Sequence, residues 1–206
     1  MANHHILDSH GTDISSQDNW HVLTTDALPE SIVSTNITLL ELLQRQEKPD
    51  VIVPLADLLD ESGAQVGGLI KEVYELIVQH SSRLGLWVTA DTDADALEGI
   101  SEFLSTQALI VIDVPKFADG RNFSFARTLR QIGYQGEIRV AGAFGRDQIA
   151  YLLRMGVDSF VLSEHDMQPD SKFGIEQAFT ALASSYDGQS ASDLPMFAKP
   201  SEPLIA

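Results

Sequence analysis

Cysteine is absent from this 206-residue chain. That excludes structural disulfides, thiol redox chemistry, and cysteine-ligated iron–sulfur or zinc centres supplied by the chain itself. Basic residues are scarce, with 13 Lys and Arg against 30 Asp and Glu, giving a formal charge of −17. So acidic a chain is not drawn to nucleic acid or anionic lipid, and neither is expected as a partner. Long hydrophobic runs are missing too, since no stretch approaches the roughly 18 apolar residues of a membrane span. The polar, histidine-bearing opening from Met1 to Gly11 lacks the basic and apolar regions of a signal peptide. A cytoplasmic location is the simplest expectation. Nucleotide loops are also lacking: there is no G-x-G-x-x-G after a strand, no G-x-x-x-x-G-K-[ST] and no G-x-S-x-G elbow. No cofactor is assigned. His4, His5 and His10 lack companions at a metal-ligand spacing.

What is present is a hydrophobic content of 44%, enough for one domain with a real core. Three regions are expected. Residues 1–30 form a polar segment whose patch at Trp20, Val22 and Leu23 is either an edge strand or a docking element. Residues 31–186 form a single α/β domain. Residues 187–206 form a Ser- and Pro-rich tail, in which Leu194, Met196, Phe197, Leu204 and Ile205 are apolar enough to dock on a second copy and make a homodimer.

Within the domain, short apolar runs alternate with amphipathic helical stretches, and the runs are too continuous to have one wet face. The pattern predicts a parallel sheet of five or six strands: Val51–Leu55, Leu86–Ala90, Leu109–Val114, Ile138–Ala143 and Phe160–Ser163, with a weaker one near Ile32–Val33. Apolar spacing places helices between them, marked by Val66, Leu69, Ile70, Val73, Ile77 and His80; by Leu97, Ile100 and Leu104; by Phe125, Leu129 and Ile132; by Ile149, Leu152 and Leu153; and by Ile175, Ala178, Phe179 and Leu182. Gly133 and Gly156 are expected helix stops. Periodicity leaves two architectures open, an open doubly wound sheet or an incomplete TIM-like barrel.

In parallel α/β folds ligands bind beyond the C-terminal ends of the strands, which directs attention to the loops after Val114, Ala143 and Ser163. The stretch Lys116–Arg154 holds seven cations against three acids inside a strongly acidic chain, and six of the seven are arginine. Arginine's planar fork binds oxyanions and carboxylates in bidentate fashion. Arg127, Arg130 and Arg154 are expected on solvated helix faces. Arg146 sits at a helix start, where the macrodipole disfavours a cation. Either Asp147 compensates it, or an anion lies between Arg146 and the free N–H groups there, with Gly142 and Gly145 allowing close approach and Gln148 in support. Arg121 and Arg139 complete the candidate anion set. Asp119-Gly120-Arg121 reads as a tight turn before a helix, or else Asp113 and Asp119 are strand-end carboxylates suited to acid–base work beside Arg121.

A family likeness is carried by Phe117-x-Asp119-Gly120-Arg121, Leu129-Arg130, Gly133-Tyr134-x-Gly136-Glu137-Ile138-Arg139, Arg146-Asp147-Gln148 and Arg154-x-Gly156-x-Asp158. In this order they resemble a bacterial domain-of-unknown-function family, provisionally labelled as oxidoreductases and encoded beside the sulfite reductase haemoprotein subunit. The likeness spans about Leu86 to Leu162 and extends faintly to Asp18-Asn19-Trp20 and Val53-Pro54-Leu55. Ala143 departs from it, since relatives carry an acid there. The resemblance implies a role in assimilatory sulfate or sulfite reduction, with a small oxyanion or the reductase as partner. The expected function is an accessory protein of that pathway using the arginine-rich strand-end face. The alternatives are a barrel-type enzyme acting on a small anion through Asp113, Asp119 and Arg121, or a dimeric scaffold without a small ligand.

Overall fold

The computed structural model describes residues 4–23, 35–59, 71–89, 92, 94–116 and 121–180. In chain order the strands are β1 (His4–Asp8), β2 (Trp20–Leu23), β3 (Thr35–Ile37), β4 (Asp50–Pro54), β5 (Leu84–Val88), β6 (Leu109–Val114), β7 (Glu137–Gly142) and β8 (Ser159–Ser163). The helices are α1 (Leu39–Gln44), α2 (Lys71–His80), α3 (Ala94–Gly99), α4 (Ser101–Ser105), α5 (Arg121–Gln131), α6 (Arg146–Arg154) and α7 (Pro169–Thr180). The strands join one sheet in the order β1-β8-β7-β6-β5-β4-β2-β3, curled into a half-barrel. All neighbours are parallel except β1, which runs antiparallel to β8.

Eight strands form where five or six are expected, and the five strong runs become β4 to β8. The extra strands come from the first 37 residues: β1 and β3 lacked a signal, and β2 lies between β4 and β3 instead of at an edge. The weak Ile32–Val33 run, the helical marks from Val66 to Ile70, Leu182 and the tail lie outside the described residues.

The two faces of the sheet decide between the two architectures. Side chains alternate across a strand. One face of β4 to β8, including Val51, Val53, Leu86, Ile110, Ile112, Ile138, Val140 and Phe160, packs in one core with Leu97, Leu129, Leu152 and Ile175 of the helices. The opposite face carries a smaller cluster of Ile6, Trp20, Val22, Ile52, Trp87, Leu109, Val111, Ala141 and Val161, drawn wholly from strands. Among the described residues helices therefore cover one face only, as right-handed crossovers between sequential neighbours require. The sheet is singly wound, an incomplete barrel and not a doubly wound sheet.

The connection from β1 to β2 lies against the concave face. Asp13 bridges back to Leu7, Ile14 N–H donates to the Ile6 carbonyl at 2.8 Å, and the Ser15 hydroxyl accepts from Ile6 N–H at 2.8 Å. Ile14 then packs on the concave cluster.

The two expected helix stops are formed. After α5, Gly133 (φ +90°) and Tyr134 donate to the Arg130 and Leu129 carbonyls, and after α6, Gly156 (φ +98°) and Val157 donate to those of Leu153 and Leu152. Both close their helices with paired bonds that satisfy the orphan carbonyls.

Candidate functional site

The C-terminal strand ends are built by β6, β7 and β8. At the end of β7, Gly142 has φ +105°, and a Cβ there would collide with the Val114 carbonyl oxygen. Its freedom serves the approach of β7 to β6, where Ala143 N–H donates to Val114 at 2.7 Å. Phe144 then turns inward onto Phe160, with ring centroids 5.8 Å apart. Gly145 caps α6, and its N–H is taken by the Gln148 side chain at 3.0 Å. Arg146 and Asp147 follow, both exposed, with N–H groups that no helical carbonyl reaches.

The expected compensation of Arg146 by Asp147 is not an ion pair. Among the described residues Arg146 has no carboxylate within pairing distance. Its side chain lies along α7 instead, where a Cβ at Gly174 would sit 2.5 Å from Nη1. Glycine at that position makes room for the arginine.

Asp113 is the last residue but one of β6, on the concave side, 7% exposed and opposite Ala141 in register. Asp119 lies outside the described residues; Arg121 begins α5, and its side chain lies outside them as well. At the end of β8 the Asp166 carboxylate accepts from Ser163 Oγ at 2.6 Å and from its N–H at 3.0 Å, which tightens the turn into α7. Beside it His5 bridges two carboxylates, Asp13 at 2.8 Å and Glu164 at 3.4 Å. The hydrogen bond to Asp13 is the chief cause that raises the His5 pKa above its ordinary 6.5.

The described arginines do not converge on this rim. Arg139 lies toward the start of β7 on the concave face, with a side chain only 4% exposed. It donates to Asp18 at 2.7 Å, to Glu137 at 2.9 and 3.1 Å, and to Ser159 Oγ at 3.2 Å. Its donors are thus committed to the protein. Burial is the main cause that lifts the Asp18 pKa, more than Arg139 lowers it. Arg130 is equally committed: it donates to the carbonyls of Gly156, Tyr134 and Gly136 and pairs with Asp158, whose carboxylate also accepts from Ile138 N–H. Arg127 and Arg154 are exposed, as expected of solvated helix faces. Arg139 and Arg146 therefore serve different ends of β7.

Much of the recurring motif is explained by this staple and not by a ligand site. Arg130, Gly133, Tyr134, Gly136, Gly156 and Asp158 lock α5 to the starts of β7 and β8. A Cβ on Gly156 would press on Arg130 Cγ at 2.6 Å, and one on Gly136 would collide with the Tyr134 hydroxyl. A family model described as "Bacterial protein of unknown function (DUF934)" matches residues 85–197, just over half of the chain. The chain belongs to that family. The DUF934 match covers β5 to α7, so the staple, the strand-end rim and Arg139 all fall within it, while Asp18 and β1 to β4 lie before it. No curated protein and no solved structure matches the chain.

Among the described residues no group of three or more His, Asp or Glu is placed to hold a metal ion, and no helix is long and apolar enough to cross a membrane. Sequence reasoning missed Asp18 as the partner of Arg139, His5 as a bridge, and Gly174 as the seat of Arg146. Asp18 carries no local signal for pairing, since its partner lies 121 residues away.

Proposed function

We propose that this chain is an accessory protein of assimilatory sulfate or sulfite reduction, which holds a small oxyanion or an acidic group of the reductase at the strand-end rim. The pathway comes from the family resemblance. The rim comes from one observation: Arg146 is an exposed cation in the first turn of α6, with no carboxylate partner among the described residues. An anion there gains from the guanidinium, from the amides of Arg146 and Asp147, and from the helix dipole together. The ligand set is Arg146 and the free amides of Arg146 and Asp147, with Gly145 held in the cap by Gln148 and allowing close approach, and Gly142 shaping the loop. Arg121, at the start of α5, is the second cation proposed for the rim. Arg139 is left out because Asp18, Glu137 and Ser159 occupy it.

The test is rescue. A strain lacking this chain grows on cysteine and fails on sulfate; the wild-type gene restores growth and Arg146→Ala does not. Full rescue by Arg146→Ala at equal protein level removes the rim from the account.

A second reading, an enzyme acting on a small anion, is favoured by Asp113. A carboxyl group at the end of a central strand, on the concave side of a barrel-like sheet, is placed where such folds keep acid–base groups. Asp119 and Arg121 would complete it. Under this reading Asp113→Asn abolishes rescue while anion binding persists.

A further inference from the structure

We propose that Gly174 is a positioning residue for Arg146, which keeps the guanidinium ready for the anion of the strand-end rim. The inference rests on the rim reading above and adds to it a role for α7.

Glycine is a poor helix former, because it surrenders more backbone freedom on folding than any other residue. Among the described residues Gly174 is the only glycine inside a helix; Gly99 stands at the end of α3. The turns around it are well anchored, with Ile175 and Phe179 buried and Ala178 packed against the same core. An alanine at 174 would suit the helix better, so local structure does not call for the glycine. The reason lies across the contact between α6 and α7. A Cβ at Gly174 would stand 2.5 Å from Arg146 Nη1 and 3.1 Å from its Cδ and Cζ. The end of the arginine side chain, from stem to fork, thus lies on bare α7 backbone.

The other structurally fixed arginines are held by hydrogen bonds: Arg83 to Asp50, Arg130 to carbonyls and Asp158, Arg139 to Asp18 and Glu137. Arg146 makes no hydrogen bond or ion pair with the described residues. Shape alone directs it, and its N–H donors stay available to a ligand. An arginine that must be ordered when its ligand arrives gives up rotamer freedom, whereas one already laid in a single direction gives up less. The amides of Arg146 and Asp147 are fixed by the start of α6, so the seat at Gly174 restrains the one mobile member of the ligand set.

The test is a titration of sulfate into the isotope-labelled full chain, followed at the amides of Gly145, Arg146 and Asp147. Gly174→Ala is expected to bind about fivefold more weakly than wild type. It should melt no lower, because the colliding group is the flexible end of a side chain and yields. Ala178→Gly, one turn further along α7, should melt lower and keep the wild-type affinity. Without sulfate, the Arg146 Nε–H is ordered in wild type, as read by its heteronuclear NOE, and becomes mobile in Gly174→Ala. An affinity of Gly174→Ala within about twofold of wild type, an equal loss in Ala178→Gly, or an Nε–H of unchanged order overturns the proposal. Should Gly174→Ala melt lower, the double variant Arg146→Ala/Gly174→Ala decides: recovery places the collision at the guanidinium, as proposed, and no recovery overturns the seat. A wild type without sulfate shifts at these amides ends the rim reading and the seat with it. Wild-type shifts that Arg146→Ala removes and Gly174→Ala leaves intact end the seat alone.

Discussion

Asp18 and Arg139 stand 121 residues apart in the chain and meet at 2.7 Å, both buried, where the β1–β2 connection crosses the concave face. Arg139 comes from the third residue of β7, so this contact fastens the first strands to the far half of the sheet. Burial raises the Asp18 pKa despite the guanidinium beside it. For an acid raised in this way, the folded state holds the proton more tightly than the unfolded chain. The stabilisation is fully present below the ordinary value of 3.8 and is lost as pH rises through the higher folded value. A neutral isostere should therefore be tolerated better than truncation. Asp18→Asn is expected to change stability by less than about 1 kcal/mol, and Asp18→Ala to cost about 3 kcal/mol by leaving a buried hole beside a charge. Urea unfolding followed through Trp20 and Trp87, which both lie in the concave cluster, reads the difference.

The two left-handed glycines that end α5 and α6 separate backbone strain from steric crowding. Gly133 and Gly156 share nearly the same φ, +90° and +98°, but a Cβ on Gly133 meets nothing within 4 Å while one on Gly156 meets Arg130. Gly133→Ala should cost about 1 kcal/mol for the left-handed backbone alone. Gly156→Ala should cost clearly more, about 3 kcal/mol, because Arg130 must leave its carbonyl partners. Equal losses in thermal unfolding would mean that Arg130 adjusts freely.

Arg130 itself is expected to resist replacement by lysine. Its planar fork reaches the carbonyls of Gly156, Tyr134 and Gly136 and the Asp158 carboxylate at once, and an ammonium cannot span that set. Arg130→Lys should destabilise by about 2 kcal/mol without altering any ligand binding at the rim. Denaturant midpoints together with an anion titration of the variant check both halves of that statement.

His5 gives the molecule a pH response of the same sign as that of Asp18, set around its higher ordinary value of 6.5. Its hydrogen bond to Asp13, then Glu164, holds the imidazolium, so its pKa lies above 6.5. A base raised in this way contributes stability that is fully present below the unfolded value and is lost as pH rises through the folded one. His5→Gln should thus lower the urea midpoint near pH 6 and leave it close to wild type well above the folded pKa. An NMR titration of the His5 ring that gave a midpoint below 6.5 would contradict the assignment.

The legible parts of the fold are those in which burial writes itself into composition. Runs such as Leu109–Ile112 are covered on both faces, so they are continuously apolar and read as parallel strands. β1 was hidden because only Ile6 and Leu7 of His4–Asp8 are apolar, and β3 because three residues carry no period. Strand order has no local trace, so the choice between a doubly wound sheet and a half-barrel required the faces to be seen. The strand-end rim was legible from the glycines and Arg146, but Arg139 does not lie on it. Arg130 and Arg139 find their partners among carbonyls and carboxylates far along the chain, and nothing in the sequence around an arginine states that its donors are already occupied.

The most direct measurement is a titration of sulfite, and separately of sulfate, into isotope-labelled protein, followed through backbone amide resonances. The account predicts saturable shifts at Gly145, Arg146 and Asp147, lost in Arg146→Ala and kept in Arg127→Ala. Shifts that are absent, that persist in Arg146→Ala, or that appear only elsewhere in the chain would contradict it.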